Sequence, residues 1–381
     1  MKKGKLSDLC IVIAGQSPQG SAYNDKGDGI EFHQGKKAFG ESYLTPSNVW
    51  TTEITKIAEP LDILMSVRAP VGPTNITDRR ICIGRGLAAI RCKEGVLQKF
   101  ILYALRNIES KIVGNDGAVF NSINKAQIEA LPVPIIPLPE QERIVSLLDA
   151  EFAKIDAIKA NAEKQLKDAK ALFQSALKDY LTPKEGWEEK TLKEIGKTQT
   201  GCTPSMSKKE FYNEEYMPFI KPSEINYDGL GGINYNTQML SKLGAENGRI
   251  FQPHSIFMVC IGATISKLGI SEREISCNQQ INVLTPKDLY HSKFIYYAML
   301  NPTFINLVKK EGTSAQATLP IISKGKWEQL KITVPQYTDQ LQIAELLDKI
   351  SAKIQSLQSN FDTTVTLCND LKQSILKDIF G

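Results

Sequence analysis

One segment of this 381-residue chain is written twice: residues 138–181 return, 199 positions later, as residues 337–380. Gln141, Ile144, Leu147, Leu148, Asp149, Ile155, Gln174, Ser175, Leu177 and Lys178 recur as Gln340, Ile343, Leu346, Leu347, Asp348, Ile354, Gln373, Ser374, Leu376 and Lys377. Each copy follows a longer stretch of mixed pattern, so the chain reads as domain, helix, domain, helix. Two halves built this way must share one scaffold.

Both copies are helical by pattern. In the second, Ile343, Ile350, Leu357, Thr364 and Leu371 alternate with Leu347, Ile354, Phe361, Cys368 and Ile375, the three-four spacing of a coiled-coil seam. The matching positions of the first are Ile144, Glu151, Ile158, Gln165 and Leu172 with Leu148, Ile155, Ala162, Ala169 and Ala176. One seam is bulky and the other small, which predicts that the two helices pack on each other. Pro139 and Glu140 suit a first helical turn, where a missing donor is harmless and a carboxylate meets the positive end of the dipole. Thr182-Pro183 stops the first helix. At about 1.5 Å per residue each rod is roughly 60 Å long.

The stretches before the helices match more loosely. Gly15-Gln16-Ser17-Pro18 corresponds to Gly201-Cys202-Thr203-Pro204, and Leu44-Thr45-Pro46-Ser47 to Ile220-Lys221-Pro222-Ser223. Apolar runs beginning at Ile63 and Ile256 read as buried strands leading into small-residue turns, and Leu87–Arg91 and Ile281–Leu284 as second strands. Matched helices follow from Phe100 and Phe294. Short helices ending at Leu131 and Leu330 and strands at Val133–Ile136 and Lys331–Val334 close each half. The expected class is mixed α/β.

The net charge of +4 is small, but its excess falls on the globular stretches: +4 over residues 1–136 and +3 over 183–336, against −1 and −2 for 137–182 and 337–381. Local basic surface is what phosphate binding requires. The seven cysteines form no C-x-x-C pair and the three histidines, His33, His254 and His291, have no metal spacing. There is no Walker motif, Gly84-Arg85-Gly86 is a turn rather than a cofactor fingerprint, and Asn301-Pro302-Thr303-Phe304 lacks the second proline of an amino-methyltransferase motif. The chain is expected to catalyse nothing alone. The apolar run Leu9–Ala14 is too short for a signal peptide, no stretch is long enough to span a membrane, and a cytoplasmic location is expected.

Pro137-Leu138-Pro139-Glu140-Gln141-Glu142-Arg143-Ile144-Val145-Ser146-Leu147-Leu148-Asp149 resembles the P-L-P-x-Q-x-x-I-x-x-x-L-D signature of specificity subunits of Type I restriction-modification enzymes. A degenerate copy runs from Val334-Pro335 through Asp339-Gln340 to Leu347-Asp348, and the Gly-Gln-Ser-Pro and Gly-Cys-Thr-Pro loops resemble the family's Gly-x-Thr-Pro. The resemblance covers essentially the whole chain. It implies two target-recognition domains, 1–136 and 183–336, alternating with two long helices, 137–182 and 337–381, that pair as an antiparallel coiled coil. It further implies a split double-stranded DNA target, two unrelated half-sites around a spacer of fixed length. Expected partners are two modification subunits that flip and methylate adenine from S-adenosylmethionine, and restriction subunits working with ATP and Mg. The chain itself would hold no cofactor or metal.

Base and phosphate contacts call for paired donors and acceptors, cations and small hydroxyls in loops. On that ground the candidates are Gln16, Ser17, Lys36, Lys37, Arg68, Arg79 and Arg80 in the first domain. In the second they are Thr203, Lys208, Lys209, Lys221, Ser223, Lys267, Gln279, Gln280 and Gln316. Gln141, Arg143 and Gln340 are candidates for docking the modification subunits. Competing readings are a stand-alone DNA methyltransferase or nuclease, a methylation-only or Type IIB-like specificity subunit, and a coiled-coil protein scaffold.

Overall fold

The structure, a computed structural model, describes every residue except Glu41, Gly231 and residues 113–121, 227–229 and 313–318. The chain forms two compact units: Met1–Ala160 with Thr364–Gly381, and Asn161–Thr363. Each contains one globular repeat and a half of each long helix.

In the first unit a four-stranded antiparallel sheet has the order Cys10–Ala14, Leu87–Cys92, Ile63–Ser66, Thr74–Ile76. The second unit repeats it with Gly196–Thr200, Ile281–Pro286, Ile256–Val259 and Leu268–Ile270. The central strands are apolar throughout because both sheet faces are covered: Ile63, Leu64 and Met65 are wholly buried, as are Ile256, Phe257 and Met258. A smaller sheet lies beside each main one and contains a parallel pair, Ile30–His33 with Ile81–Ile83 in the first unit and Met217–Ile220 with Ser276–Cys277 in the second. Short ribbons pair the start of each repeat with its end, Lys3–Lys5 with Pro132–Pro134 and Glu188–Thr191 with Lys331–Val334.

The helices Gln98–Ile112 and Ser292–Leu300 pack on the sheets through Phe100 and Phe294, both fully buried. The long helices run Leu138–Tyr180 and Tyr337–Phe380. In the first unit the opening half of one lies against the closing turns of the other: Ile144, Leu148, Phe152 and Ile155 share a core with Cys368, Leu376 and Phe380. In the second, Leu166, Phe173 and Leu177 share a core with Leu347 and Ile354, and Lys170 hydrogen-bonds Gln358. Within each unit the helix pair is therefore antiparallel.

One line of the first long helix's seam keeps the expected register, with Leu148, Ile155 and Ala176 buried, while the other departs from it after Ile144. Ile158 and Leu172 are more than half exposed, and Leu371 is 49% exposed on the second helix. The buried line runs instead through Phe152, Leu166 and Phe173, one residue further on than Glu151, Gln165 and Leu172. Aromatic side chains on that line have a globular domain to fill: Phe152 stacks edge-on against Tyr103 and Phe173 against Tyr297. The helix follows the domain core as well as its partner helix.

Candidate nucleic-acid interface

The Gly-x-[Ser/Thr]-Pro loops leave the first strand of each main sheet, and the glycines are dictated by close approach. A Cβ on Gly15 would lie 2.2 Å from the carbonyl oxygen of Gly84, and one on Gly201 would lie 2.1 Å from that of Asn278. The loop is thus held against the turn that opens the neighbouring strand: Gly84-Arg85-Gly86 in the first unit and Asn278-Gln279-Gln280 in the second. Gly15 N–H donates to Leu87 O and Gly201 N–H to Ile281 O, both over 2.9 Å. The hydroxyl residue then touches the turn, Ser17 Oγ accepting from Arg85 N–H at 3.3 Å and Thr203 Oγ1 donating to Gln279 Oε1 at 2.6 Å. A third strand end joins them, Val67 N–H donating to Gly86 O and Cys260 N–H to Gln280 O.

In the first unit this brings together exposed Gln16, half-buried Ser17 and exposed Arg68. Lys36 and Lys37 are exposed on a short 3-10 turn that begins beside the same glycines, Gly84 N–H donating to His33 O. Arg80 is exposed and paired with Glu59 at 3.4 Å.

Arg79 belongs elsewhere, which corrects its place among the candidates. Its Nε and Nη2 donate to the two carboxylate oxygens of Glu31 at 2.6 and 2.8 Å, and its Nη1 donates to Asp78 and Leu44 O. Four donors are committed inside the domain, leaving no fork for a base or phosphate. Glu31 is buried, which alone would raise its pKa, but Arg79, the backbone N–H of Ser47 and His33 outweigh burial and hold it at about 2.

In the second unit Lys208 and Lys209 are exposed, Lys208 lying over the ring of Phe211. Lys221 and Lys267 are half-buried and turn their ammonium groups to Gln238 and to the carbonyl of Pro222, while Ser223 donates to Glu224. Gln279 is exposed; Gln280 is half-buried and accepts from Asn278 Nδ2. Gln316 lies outside the described residues. Among the described residues no cluster of His, Cys, Asp and Glu is placed to hold a metal, and no helix is long and apolar enough to cross a membrane.

Two of the proposed docking residues take another role. Gln141 and Gln340 are each only 2% exposed. Gln141 accepts from Leu97 N–H at 2.9 Å and donates to Ile136 O, while Gln340 accepts from His291 N–H at 2.8 Å and donates to Pro335 O. Each pins the start of a long helix to the start of its domain helix, so these glutamines are internal staples without surface for a partner. Arg143 remains exposed, paired with Glu140 one turn earlier.

Sequence reasoning passed over two features. Arg85, at the tip of the Gly-Arg-Gly turn, is exposed beside Ser17, and the two flanking glycines were the available signal: a Cβ on Gly86 would lie 2.1 Å from Gln34 O. Asp149 and Asp348, the last residues of the duplicated signature, each receive a lysine and a tyrosine from the domain helix, Lys99 with Tyr103 and Lys293 with Tyr297.

This architecture defines a class: a non-identical pair of α/β domains, each offering a polar loop cluster at one sheet end, on a duplicated pair of long helices. The family model for the "Type I restriction modification DNA specificity domain" matches residues 1–168 and again 184–366, and the chain belongs to that family. It is 43% identical over 169 residues to the MjaX type I restriction enzyme specificity subunit of Methanocaldococcus jannaschii, covering 44% of this chain and 39% of that one. It is 26% identical over 284 residues to the EcoR124I/EcoR124II specificity subunit of Escherichia coli, covering 71% and 67%. The match spans about two fifths of the length of the first of these. A solved structure described as the basis of complex assembly and conformational transition of the type I R-M system aligns over 99% of this chain and 96% of its own with a TM-score of 0.72 at 16% identity, a likeness of fold.

Proposed function

We propose that this chain is the DNA-recognition subunit of a Type I restriction-modification complex and reads a bipartite double-stranded target, one half-site per unit. The observation that carries this is the repeated loop cluster: the same Gly-x-[Ser/Thr]-Pro loop is pinned against the same turn in both units, while the side chains it displays differ, Gln16, Arg68 and Arg85 in one and Thr203, Gln279 and Gln280 in the other. A common scaffold with divergent tips is what two unrelated half-sites require. Phosphate contacts from Lys36, Lys37, Lys208 and Lys209 would fix register, and the loop tips would read base edges.

Family membership supports a recognition role in which chemistry resides on partner subunits. The partners would be two modification subunits carrying S-adenosylmethionine for adenine methylation and restriction subunits using ATP and Mg, acting in the cytoplasm. Mapping N6-methyladenine across the genome of cells carrying the chain with its modification subunit tests the reading. A motif of two short blocks separated by a constant unspecified gap is expected; methylation at a single continuous motif, or none dependent on this chain, would overturn it.

A further inference from the structure

Of the nine arginines in the chain, seven are engaged internally: Arg79, Arg80, Arg91 and Arg143 with carboxylates, Arg249 with a carbonyl, Arg273 over a tyrosine ring, and Arg106. Arg68 and Arg85 are the two whose guanidinium has no partner among the described residues, and both are exposed. They stand together, because Val67 N–H donates to Gly86 O over 3.0 Å and so ties the residue before Arg68 to the residue after Arg85. With no partner among the described residues, each arginine keeps its five donors in a rigid fork. Two such arginines beside the Gly15–Pro18 loop make a head whose donors match the two acceptors of guanine, O6 and N7.

The same bonds identify the counterparts in the second unit. Cys260 N–H donates to Gln280 O over 2.8 Å, which puts Gln279 where the first unit has Arg85 and Ile261 where it has Arg68. Thr203 donates to Gln279 Oε1 and so orients the amide, leaving one lone pair on the oxygen and both N–H donors. An oriented primary amide next to an apolar residue offers a donor and an acceptor to adenine N7 and N6, and a methyl-sized contact to thymine.

Resting on the DNA-recognition reading, we propose that Arg85, assisted by Arg68, reads guanine in the half-site of the first unit, and that Gln279 at the equivalent position reads adenine in that of the second. The two half-sites then differ in a defined way. Guanine is required at a position set by Arg85 in one, and an A·T pair is required at the corresponding position of the other.

The test uses the complete complex with its modification subunits and compares the unaltered chain with Arg85→Ala, Arg85→Lys and Gln279→Ala. Methylated motifs are mapped, and duplex affinity is measured with each base pair of the target replaced in turn. Arg85→Ala is expected to lower discrimination for one guanine in a single half-site, the one assigned to residues 1–136, by about 5- to 150-fold, the loss of one bidentate contact. Arg85→Lys, whose ammonium lacks the planar fork, is expected to lower it by a smaller factor in the same half-site. Arg85→Lys retains the charge, so its affinity for random duplex stays within a few-fold of the unaltered chain. Gln279→Ala relaxes one A·T requirement in the other half-site only.

Unchanged motifs in Arg85→Ala would overturn the proposal. So would a uniform loss of affinity that Arg85→Lys restores, since that marks a phosphate contact. An unaltered complex that marks no bipartite site is a separate result and removes the DNA-recognition reading itself.

Discussion

Tyr103 donates its phenolic hydroxyl to Asp149 over 2.5 Å, and Lys99, one turn earlier on the same helix, reaches the other carboxylate oxygen at 2.6 Å. Tyr297 and Lys293 treat Asp348 in the same way. The two halves of the chain thus dock domain on long helix through one repeated device, and the tyrosine hydroxyls are held above their ordinary pKa first by burial and then by the carboxylate. Replacing Asp149 or Asp348 by alanine is expected to cost about 1–2 kcal/mol, discounted for the partly exposed lysine. Chemical denaturation should show this as a lower midpoint at unchanged slope, and an unmoved midpoint would contradict the docking role.

Gln141→Ala removes the acceptor for Leu97 N–H and the donor to Ile136 O at a buried position. The expected loss is about 2 kcal/mol, with a similar loss for Gln340→Ala. Affinity for the modification subunits, measured on folded protein, should stay unchanged. A large drop in that affinity with no drop in stability would restore these glutamines to a docking surface.

The Glu31, Arg79 and His33 cluster makes the first unit acid-sensitive. The folded pKa of Glu31, about 2, lies below its ordinary value of 4.5, so its stabilisation is complete above that ordinary value and is lost as pH falls from about 4.5 towards 2. The amount at neutral pH is on the order of 3 kcal/mol. His33, whose pKa burial lowers, acts in the same direction below its ordinary value of 6.5. Denaturation curves between pH 7 and pH 3 should show the loss, and Glu31→Gln should be less stable at neutral pH but flatter with pH. An Arg79→Ala protein that unfolds like the parent at all pH values would contradict the assignment.

Gly15→Ala and Gly201→Ala each force a Cβ against a backbone carbonyl, 2.2 and 2.1 Å away. Backbone cannot yield as a flexible side chain does, so the loop must move off the turn. The prediction is weaker specific DNA binding for either variant, with sequence discrimination lost in the corresponding half-site alone. Binding at full specificity in both variants would show that loop placement does not matter.

What the sequence revealed and what it hid divides along a physical line. The bounds of both long helices, the strands starting at Ile63, Leu87 and Ile281, and the mixed class were legible because periodicity and apolar runs are local signals. The line of the first seam through Leu148, Ile155 and Ala176 was legible too, but the one expected at Glu151, Ile158, Gln165 and Leu172 was not, since a helix that also packs on a domain through Phe152 and Phe173 serves two partners with one face. Arg79 and Arg85 were indistinguishable as sequence: both sit in polar turns, and only the fold brings Glu31 to one and leaves the guanidinium of the other without a partner among the described residues. Gln141 and Gln340 misled for a related reason, because a polar residue in a helix's first turn reads as surface until the element it caps is in place.

The most direct test of the central claim is to exchange residues 1–136 for the corresponding stretch of a relative with a different target and map the methylated motif. One block of the bipartite motif is expected to be replaced while the other block, read by the second unit, is preserved. Loss of both blocks together, or a motif indifferent to the exchange, would contradict the claim.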